Sequence, residues 1–261
     1  MSRQLLDDLR RDPSLVIDEA RRPADRARIL REVEGRQWAA EHGIPTAETV
    51  AVGRHGAWLV SRRLEDRPGV SLAYLQAALD VAQRIQHAPR PRLAPVADAW
   101  KAPRSAAVAN AARLAAGGVS PREYVATRAT AQRVPSTAMI HNDFHRDNVL
   151  DLGAGAGVAV IDWEFLTPGP PHRDFLQLLV NVRDDDLAHE GWELLLRQAP
   201  AAEHELIGRQ FPWLALRTYA SQLTAADPDR DVAQRAHNRK RWRQARRWSS
   251  SLRRPRGSNR P

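Results

Sequence analysis

Asp143, Asn148 and Asp162 have the side-chain chemistry and spacing to hold a hard divalent cation beside a proton acceptor. The first two lie in His141-Asn142-Asp143-Phe144-His145-Arg146-Asp147-Asn148, and the third opens Asp162-Trp163-Glu164. Between them, two short runs at 148–151 and 158–161 flank a Gly153-Ala154-Gly155-Ala156-Gly157 turn, which predicts a hairpin. Antiparallel pairing across that turn carries Asn148 and Asp162 to the same end of the ribbon, where two oxygen ligands converge. Mg²⁺ suits such a place, because it takes one or two protein oxygens and leaves its other positions to water and phosphate. Asp143, on the loop leading into the hairpin, stays outside the ligand set and is available as a base.

The same segment spells His-x-Asp-x-His, which with Asp162 admits a second reading as a zinc or two-metal hydrolase site. That chemistry needs further ligands from other strands, and the later histidines, His172, His189, His204 and His237, are isolated. The glycine-rich turn lacks the Gly-Lys-Ser/Thr ending of a phosphate cradle and reads as a loose hairpin tip. Trp163 reads as packing, Glu164 as a hydrogen-bond acceptor or second metal ligand, and Arg146 as solvated.

The elements that must position this segment divide into a mixed part and a helical part. Residues 26–42 predict a helix, with Ile29, Leu30, Val33 and Ala40 on one face and a Gly43-Ile44-Pro45 stop. Runs at 49–53 and 57–61 predict a hairpin, and 62–69, with Glu65, Asp66, Pro68 and Gly69, a linker. Beyond it, helices are predicted at 71–87, 106–116, 174–182, 186–197, 203–223 with a break at Pro212, and 231–249. The chain of 261 residues has no cysteine, so disulfides, thiolate metal sites and cysteine nucleophiles are excluded. No apolar run approaches a membrane span, and the N-terminus lacks the pattern of a secretion signal, so a cytoplasmic location is expected. Ten arginines and one lysine fall in residues 235–261 with no acidic residue, so against a total of +9 the rest of the chain is slightly acidic. The basic stretch reads as a final helix with a solvated face and inward-packed tryptophans, Trp242 and Trp248, rather than a nucleic-acid-binding module.

From His141 to Glu164 the sequence resembles the aminoglycoside phosphotransferases and their choline-kinase-like and protein-kinase-like relatives. Their loop runs His-Gly-Asp, four residues, Asn, and their metal strand ends Ile-Asp-Trp-Glu or similar. The resemblance implies that Asp143 accepts or orients the substrate hydroxyl, and that Asn148 and Asp162 hold Mg²⁺ on the phosphates of ATP or GTP. It places His145 where a loop lysine touches the transferred phosphate, makes His141 a structural hinge, and makes Asp174 a support for the loop. It extends over about 16–223: Arg31-Glu32-Val33-Glu34 through Val50-Ala51-Val52-Gly53 and Trp58-Leu59-Val60 is similar to a small-lobe helix followed by two strands. Residues 62–66 then border adenine, and Glu32 is the helix glutamate of the nucleotide site. The implied fold is α+β, bilobal and protein-kinase-like, with a reduced N-lobe at 1–65, a helical C-lobe at 66–234, and a basic helix and tail at 235–261.

Two features of such a small lobe are not evident. No glycine precedes Gly35, and the strand-like Leu15-Val16-Ile17 is followed by Asp18 where the lysine should be; the first lysine in the chain is Lys101. Glu32 is thus expected to lack its lysine partner, with Arg21 or Arg22 as substitutes. Three explanations follow: a gene start that omits an upstream glycine-rich hairpin, a phosphate clamp rebuilt from arginines, or a noncatalytic nucleotide-binding relative. The function expected is transfer of a γ-phosphate to a hydroxyl of a small molecule, an antibiotic or metabolite, with phosphorylation of a peptide Ser or Thr as the alternative acceptor.

Overall fold

Strand β1 (Leu15–Glu19), β2 (Thr49–Val52) and β3 (Trp58–Arg62) form an antiparallel sheet in the order β1-β3-β2. These are β-branched and aromatic runs, and the central strand β3 buries Leu59, Val60 and Ser61. Asp18 pairs with Leu59, Val16 with Ser61, and Thr49 with Ser61 from the other side, with a register shift before Ala51. In the computed structural model, residues 9–91, 104–153, 155–223 and 232–252 are described.

Helix α1 (Pro23–Glu41) starts with Pro23 at its first position and with the Asp25 carboxylate accepting from the backbone N–H of Arg21 and Arg22. It ends at Gly43, whose φ of +64° suits a residue without Cβ. Its buried face is Ile29, Glu32, Gly35, Arg36, Trp38 and Ala39, so two charged side chains sit within an apolar stripe. Helix α2 (Leu72–His87) is capped by Ser71, whose hydroxyl accepts from the Tyr74 N–H at 3.1 Å.

Strand β4 (Ala138–Ile140) precedes the predicted hairpin, which is present as β5 (Val149–Gly153) and β6 (Gly157–Val160); β7 (Thr167–Gly169) pairs with β4. The hairpin register runs from Val149 opposite Val160 to Gly153 opposite Gly157, and the Ile161 N–H donates to the Asn148 carbonyl at 3.0 Å. The segment after α1 secures the far end of β6, where the Val160 N–H donates to the Pro45 carbonyl at 2.9 Å.

The chain divides into two compact units, Met1–Pro95 with Met139–Pro168, and Val96–Ala138 with Gly169–Pro261. The hairpin therefore belongs with the small sheet, α1 and α2. The second unit is helical: α3 (Arg104–Ala116), α4 (Pro121–Gln132), α5 (Arg173–Asn181), α6 (Asp185–Gln198), α7 (His204–Gln222) and α8 (Val232–Leu252). Helix α4 was not expected, although Ser120-Pro121 signals its start: Ser120 caps the Glu123 N–H at 3.1 Å and Pro121 fills the first turn. The break expected at Pro212 does not occur. The carbonyl that its ring would crowd belongs to Gly208, and burial of Phe211, Trp213, Leu214, Ala215 and Leu216 around it outweighs a penalty of about 3 kcal/mol. Trp192, Phe211 and Trp248 stack at 5.1 and 5.9 Å, and Trp242 is buried, so the tryptophans of α8 pack inward as expected while Arg239, Arg243 and Arg247 face solvent. Among the described residues no helix is long and apolar enough to cross a membrane.

One close approach fixes the end of the hairpin against α1. A Cβ at Gly35 would lie 2.5 Å from Trp163 Cβ and 2.9 Å from the Trp163 carbonyl oxygen. Alanine favours a helix over glycine by about 1 kcal/mol, but overpacking against backbone costs about 1–3 kcal/mol. Gly35→Ala is therefore expected to destabilise the protein, seen as a lower urea midpoint at constant m-value; a raised midpoint would show that the turn at Trp163 yields.

Candidate functional site

The loop 141–148 is built around a buried histidine. His141 is fully buried and its Nε2–H donates to the Ile161 carbonyl at 2.9 Å, tying the loop to the strand that delivers Asp162. Its ring meets Trp163 edge-on at 4.9 Å and Phe144 at 6.1 Å, and Trp163 in turn meets Trp38 of α1 at 6.0 Å. Burial pushes its pKa down to about 4, opposed by the nearby Asp143 charge, so the ring is neutral at physiological pH. Asn142 stands where the resembling families carry glycine and has a φ of +70°, a left-handed conformation that asparagine tolerates better than other side chains.

Asn148, also buried, joins the two expected functions of the site. Its Nδ2 donates to the Asp143 carbonyl at 3.0 Å and to Asp143 Oδ2 at 3.1 Å. That orientation leaves its Oδ1 as the acceptor, with no protein donor among the described residues. Asp162, in a left-handed turn at φ +61°, likewise receives no hydrogen bond there. Two undonated oxygens at one end of the hairpin fit a hard cation. Among the described residues no group of three or more His, Asp or Glu side chains is placed to hold a metal alone. His145 Nε2 lies 3.4 Å from Asp143 Oδ2. Burial of the Asp143 carboxyl opposes its ionisation, but the hydrogen bond and charge of His145, with His141 and Asn148, hold its pKa below the usual carboxylate range. The same contact with Asp143 raises the pKa of His145.

A cavity of about 480 Å³ adjoins Asp162. One part of its wall is apolar, with Ala47, Leu59, Leu64, Leu150 and Ile161, beside the segment 62–64. The charged lining residues are Asp18, Arg28, Glu32, Arg36, Arg62, Arg63 and Asp162. Burial raises the pKa of Asp162 against the charges of Arg36 and Arg28, and raises Glu32 and Glu164 against their arginine partners. Burial is the leading cause in all three, and it outweighs the arginines beside them.

The structure corrects two sequence-based expectations here. Glu32 does have a cationic partner, Arg36, one helical turn along at 2.5 Å; Arg22 instead pairs with Asp25, and neither it nor Arg21 lines the cavity. The Glu-x-x-x-Arg spacing was the available signal. Arg146 is not solvated: it donates to the Gly69 carbonyl at 3.0 Å, to the Val149 carbonyl at 3.1 Å and to Asp66 at 2.9 Å, and lies over the Tyr74 ring. It fastens the linker to the loop, and no local pattern announced it. Glu164 accepts from Arg28 at 2.8 Å, and Arg28 also pairs with Asp18. Asp174 is buried in the first turn of α5.

The buried His141 gives stability a pH dependence. Because its folded pKa of about 4 lies below its ordinary 6.5, the unfolded chain binds the additional proton, so its contribution is complete above pH 6.5 and is lost as pH falls toward 4. The loss amounts to on the order of 3 kcal/mol. In His141→Gln, which keeps a donor for Ile161 but does not titrate, the unfolding free energy should fall less over that window than in the wild type. Parallel curves for the two proteins would contradict the assignment.

The family profile described as "Phosphotransferase enzyme family" (APH) matches residues 6–217. No curated protein matches the chain. Among solved structures, the chain is similar to amicoumacin kinase hAmiN in complex with AMP-PNP, Ca²⁺ and Ami, at 14% identity and a TM-score of 0.59, covering 88% of this chain and 81% of that one. It is also similar to a choline/ethanolamine kinase family protein from Mesorhizobium loti, at 17% identity and a TM-score of 0.58, covering 93% and 88%. A third is a thermostable mutant of aminoglycoside phosphotransferase APH(4)-Ia in a ternary complex with ADP and hygromycin B, at 18% identity and a TM-score of 0.55, covering 89% and 85%. The chain belongs to the phosphotransferase enzyme family and has its α+β kinase-like fold, with a reduced small lobe whose sheet, among the described residues, holds three strands.

Proposed function

We propose that this protein transfers the γ-phosphate of ATP or GTP to a hydroxyl of a small molecule, an antibiotic or metabolite, with Asp143 as the base. The observation that carries this reading is the Asn148 side chain, whose amide nitrogen fixes the Asp143 carboxylate while its oxygen is left for a cation beside Asp162. Mg²⁺ held by Asn148 and Asp162 would supply charge neutralisation on the donor phosphates. The acceptor oxygen attacks the γ-phosphorus as its proton passes to Asp143, and the bond to the β-phosphate oxygen breaks to release the nucleoside diphosphate. An ionised Asp143 suits that task, since a base must be unprotonated before it acts. His145 holds the carboxylate from the other side and offers positive charge near the transferred phosphate. The apolar wall near 62–64 accepts the base, and the Asp18-to-Asp162 wall faces the phosphates. Two nucleotide-bound neighbours, the amicoumacin kinase and APH(4)-Ia, share the fold and support this choice of donor. A cytoplasmic location, where nucleoside triphosphates are supplied, belongs to the same reading.

The second reading, nucleotide binding without turnover, draws on Asp18 standing on β1 where a phosphate-binding lysine is expected. A transfer screen with ATP and GTP over hydroxylated small molecules and Ser/Thr peptides separates the two. Asp143→Asn should lower the rate by about 10²- to 10⁴-fold with nucleotide binding retained, and Asp162→Ala should remove the Mg²⁺ dependence of that binding. A Mg²⁺-dependent nucleotide thermal shift, unaltered in Asp143→Asn and accompanied by no transfer to any acceptor, would establish the second reading.

A further inference from the structure

Of the four arginines that line the cavity, Arg62 pairs with Glu48 and Arg63 donates to the carbonyls of Pro13 and Leu15; the remaining two, Arg28 and Arg36, are distinguished by their hydrogen bonding. Arg28 is spent on carboxylates, since one terminal nitrogen binds Asp18 and the other binds Glu164 at 2.8 Å. It closes a brace between β1, α1 and the turn after Asp162, and its charge is matched twice over. Arg36 is held differently: its Nε donates to Glu32 Oε1 and its Nη1 donates to the Ser61 hydroxyl, both at 2.5 Å. Its remaining nitrogen, Nη2, has no partner among the described residues, although the side chain is nearly buried and lines the cavity. Of the two arginines, Arg36 bears the more strongly on the Asp162 carboxylate.

We propose that Arg36, projecting from α1, is the cation that grips the donor nucleotide's phosphates in this chain, replacing a strand lysine at the position Asp18 occupies. The inference rests on the nucleotide-binding reading above and names the residue that performs the gripping. Three features make the site. Glu32, one turn earlier on the same buried face, neutralises Arg36 and fixes its plane. Ser61, on the central strand beside the base-facing segment, takes the second edge of the fork. The third edge is left for an acceptor that enters the cavity beside Asp162. A guanidinium held at two edges is preorganised for an anion at the third, with little side-chain entropy left to lose. A lysine on β1 would reach this space from the sheet; an arginine on α1 reaches it from the helix. The acid at position 18 is then harmless, because Arg28 has already paired with it.

The test is binding of ADP and adenosine, or GDP and guanosine if the protein prefers them, measured by calorimetry. A charge-assisted hydrogen bond to phosphate corresponds to about a 10- to 100-fold change in affinity. Arg36→Gln should weaken ADP by that factor and leave adenosine unchanged, and Arg36→Lys should recover part of the loss. Because Arg36→Gln alone leaves Glu32 buried without its partner, the double variant Glu32→Gln/Arg36→Gln removes both charges together. Its thermal midpoint shows whether it folds, and it should show the same selective loss of ADP. Equal loss of ADP and adenosine in the folded variants would make Arg36 a structural residue and overturn the assignment. If the wild-type chain binds no nucleotide at all, the functional reading fails first and this one with it.

Discussion

Trp163 pressed against the bare backbone of Gly35 is the contact on which the geometry of this unit depends. The indole is fully buried, its Nε1–H is shared between Thr46 Oγ1 and the Val160 carbonyl, and it touches Trp38 and His141 on two sides. It therefore joins three things that are far apart in sequence: helix α1, the loop at 141–148 and the end of β6. Asp162 precedes it in a left-handed turn and Glu164 follows it, so the placement of this one ring aims both carboxylates. Arg31 reinforces the arrangement by donating to the carbonyls of Glu164 and Leu166 at 2.6 and 2.8 Å.

Charge explains much of the remainder. The wall around Asp162 gathers acids that would repel one another if fully ionised, and each is either paired with an arginine or left for a ligand. Arg28 and Arg36 share this work unequally, one saturated by two carboxylates and the other with an edge still open. The loop side is balanced by a different device, a neutral buried histidine behind the Asp143 carboxylate and a second histidine in front of it. Burial and hydrogen bonding thus set opposite tendencies in neighbouring carboxyls, with Asp143 held ionised and Asp162 pushed toward the neutral form.

The sequence made the hairpin legible because its signal is local: a glycine-rich turn between two β-rich runs leaves one antiparallel pairing, and that pairing sets Asn148 beside Asp162. Most helices were legible for the same reason, through periodicity and stop signals. Helix α7 shows the limit, since Pro212 is a local breaker overridden by a buried apolar face. Helix α1 shows another, because its buried stripe includes Glu32 and Arg36, and a pattern of apolar residues cannot display a face whose charges cancel each other.

By itself the sequence determined the family and most of the elements, and it singled out Asp143, Asn148 and Asp162, the three groups proposed to face a cation and a hydroxyl. All three lie in one short stretch whose spacing is fixed by a turn. Only the tertiary structure decided which cations surround them. Arg36 could be matched to Glu32 by spacing, but its bond to Ser61 and its position on the cavity wall require the helix to be packed on the sheet. Arg28, between Asp18 and Glu164, and Arg146, between the linker and the loop, join residues up to 136 positions apart. A long side chain on an arginine-rich chain has many acids to choose from, and packing, not spacing, selects one.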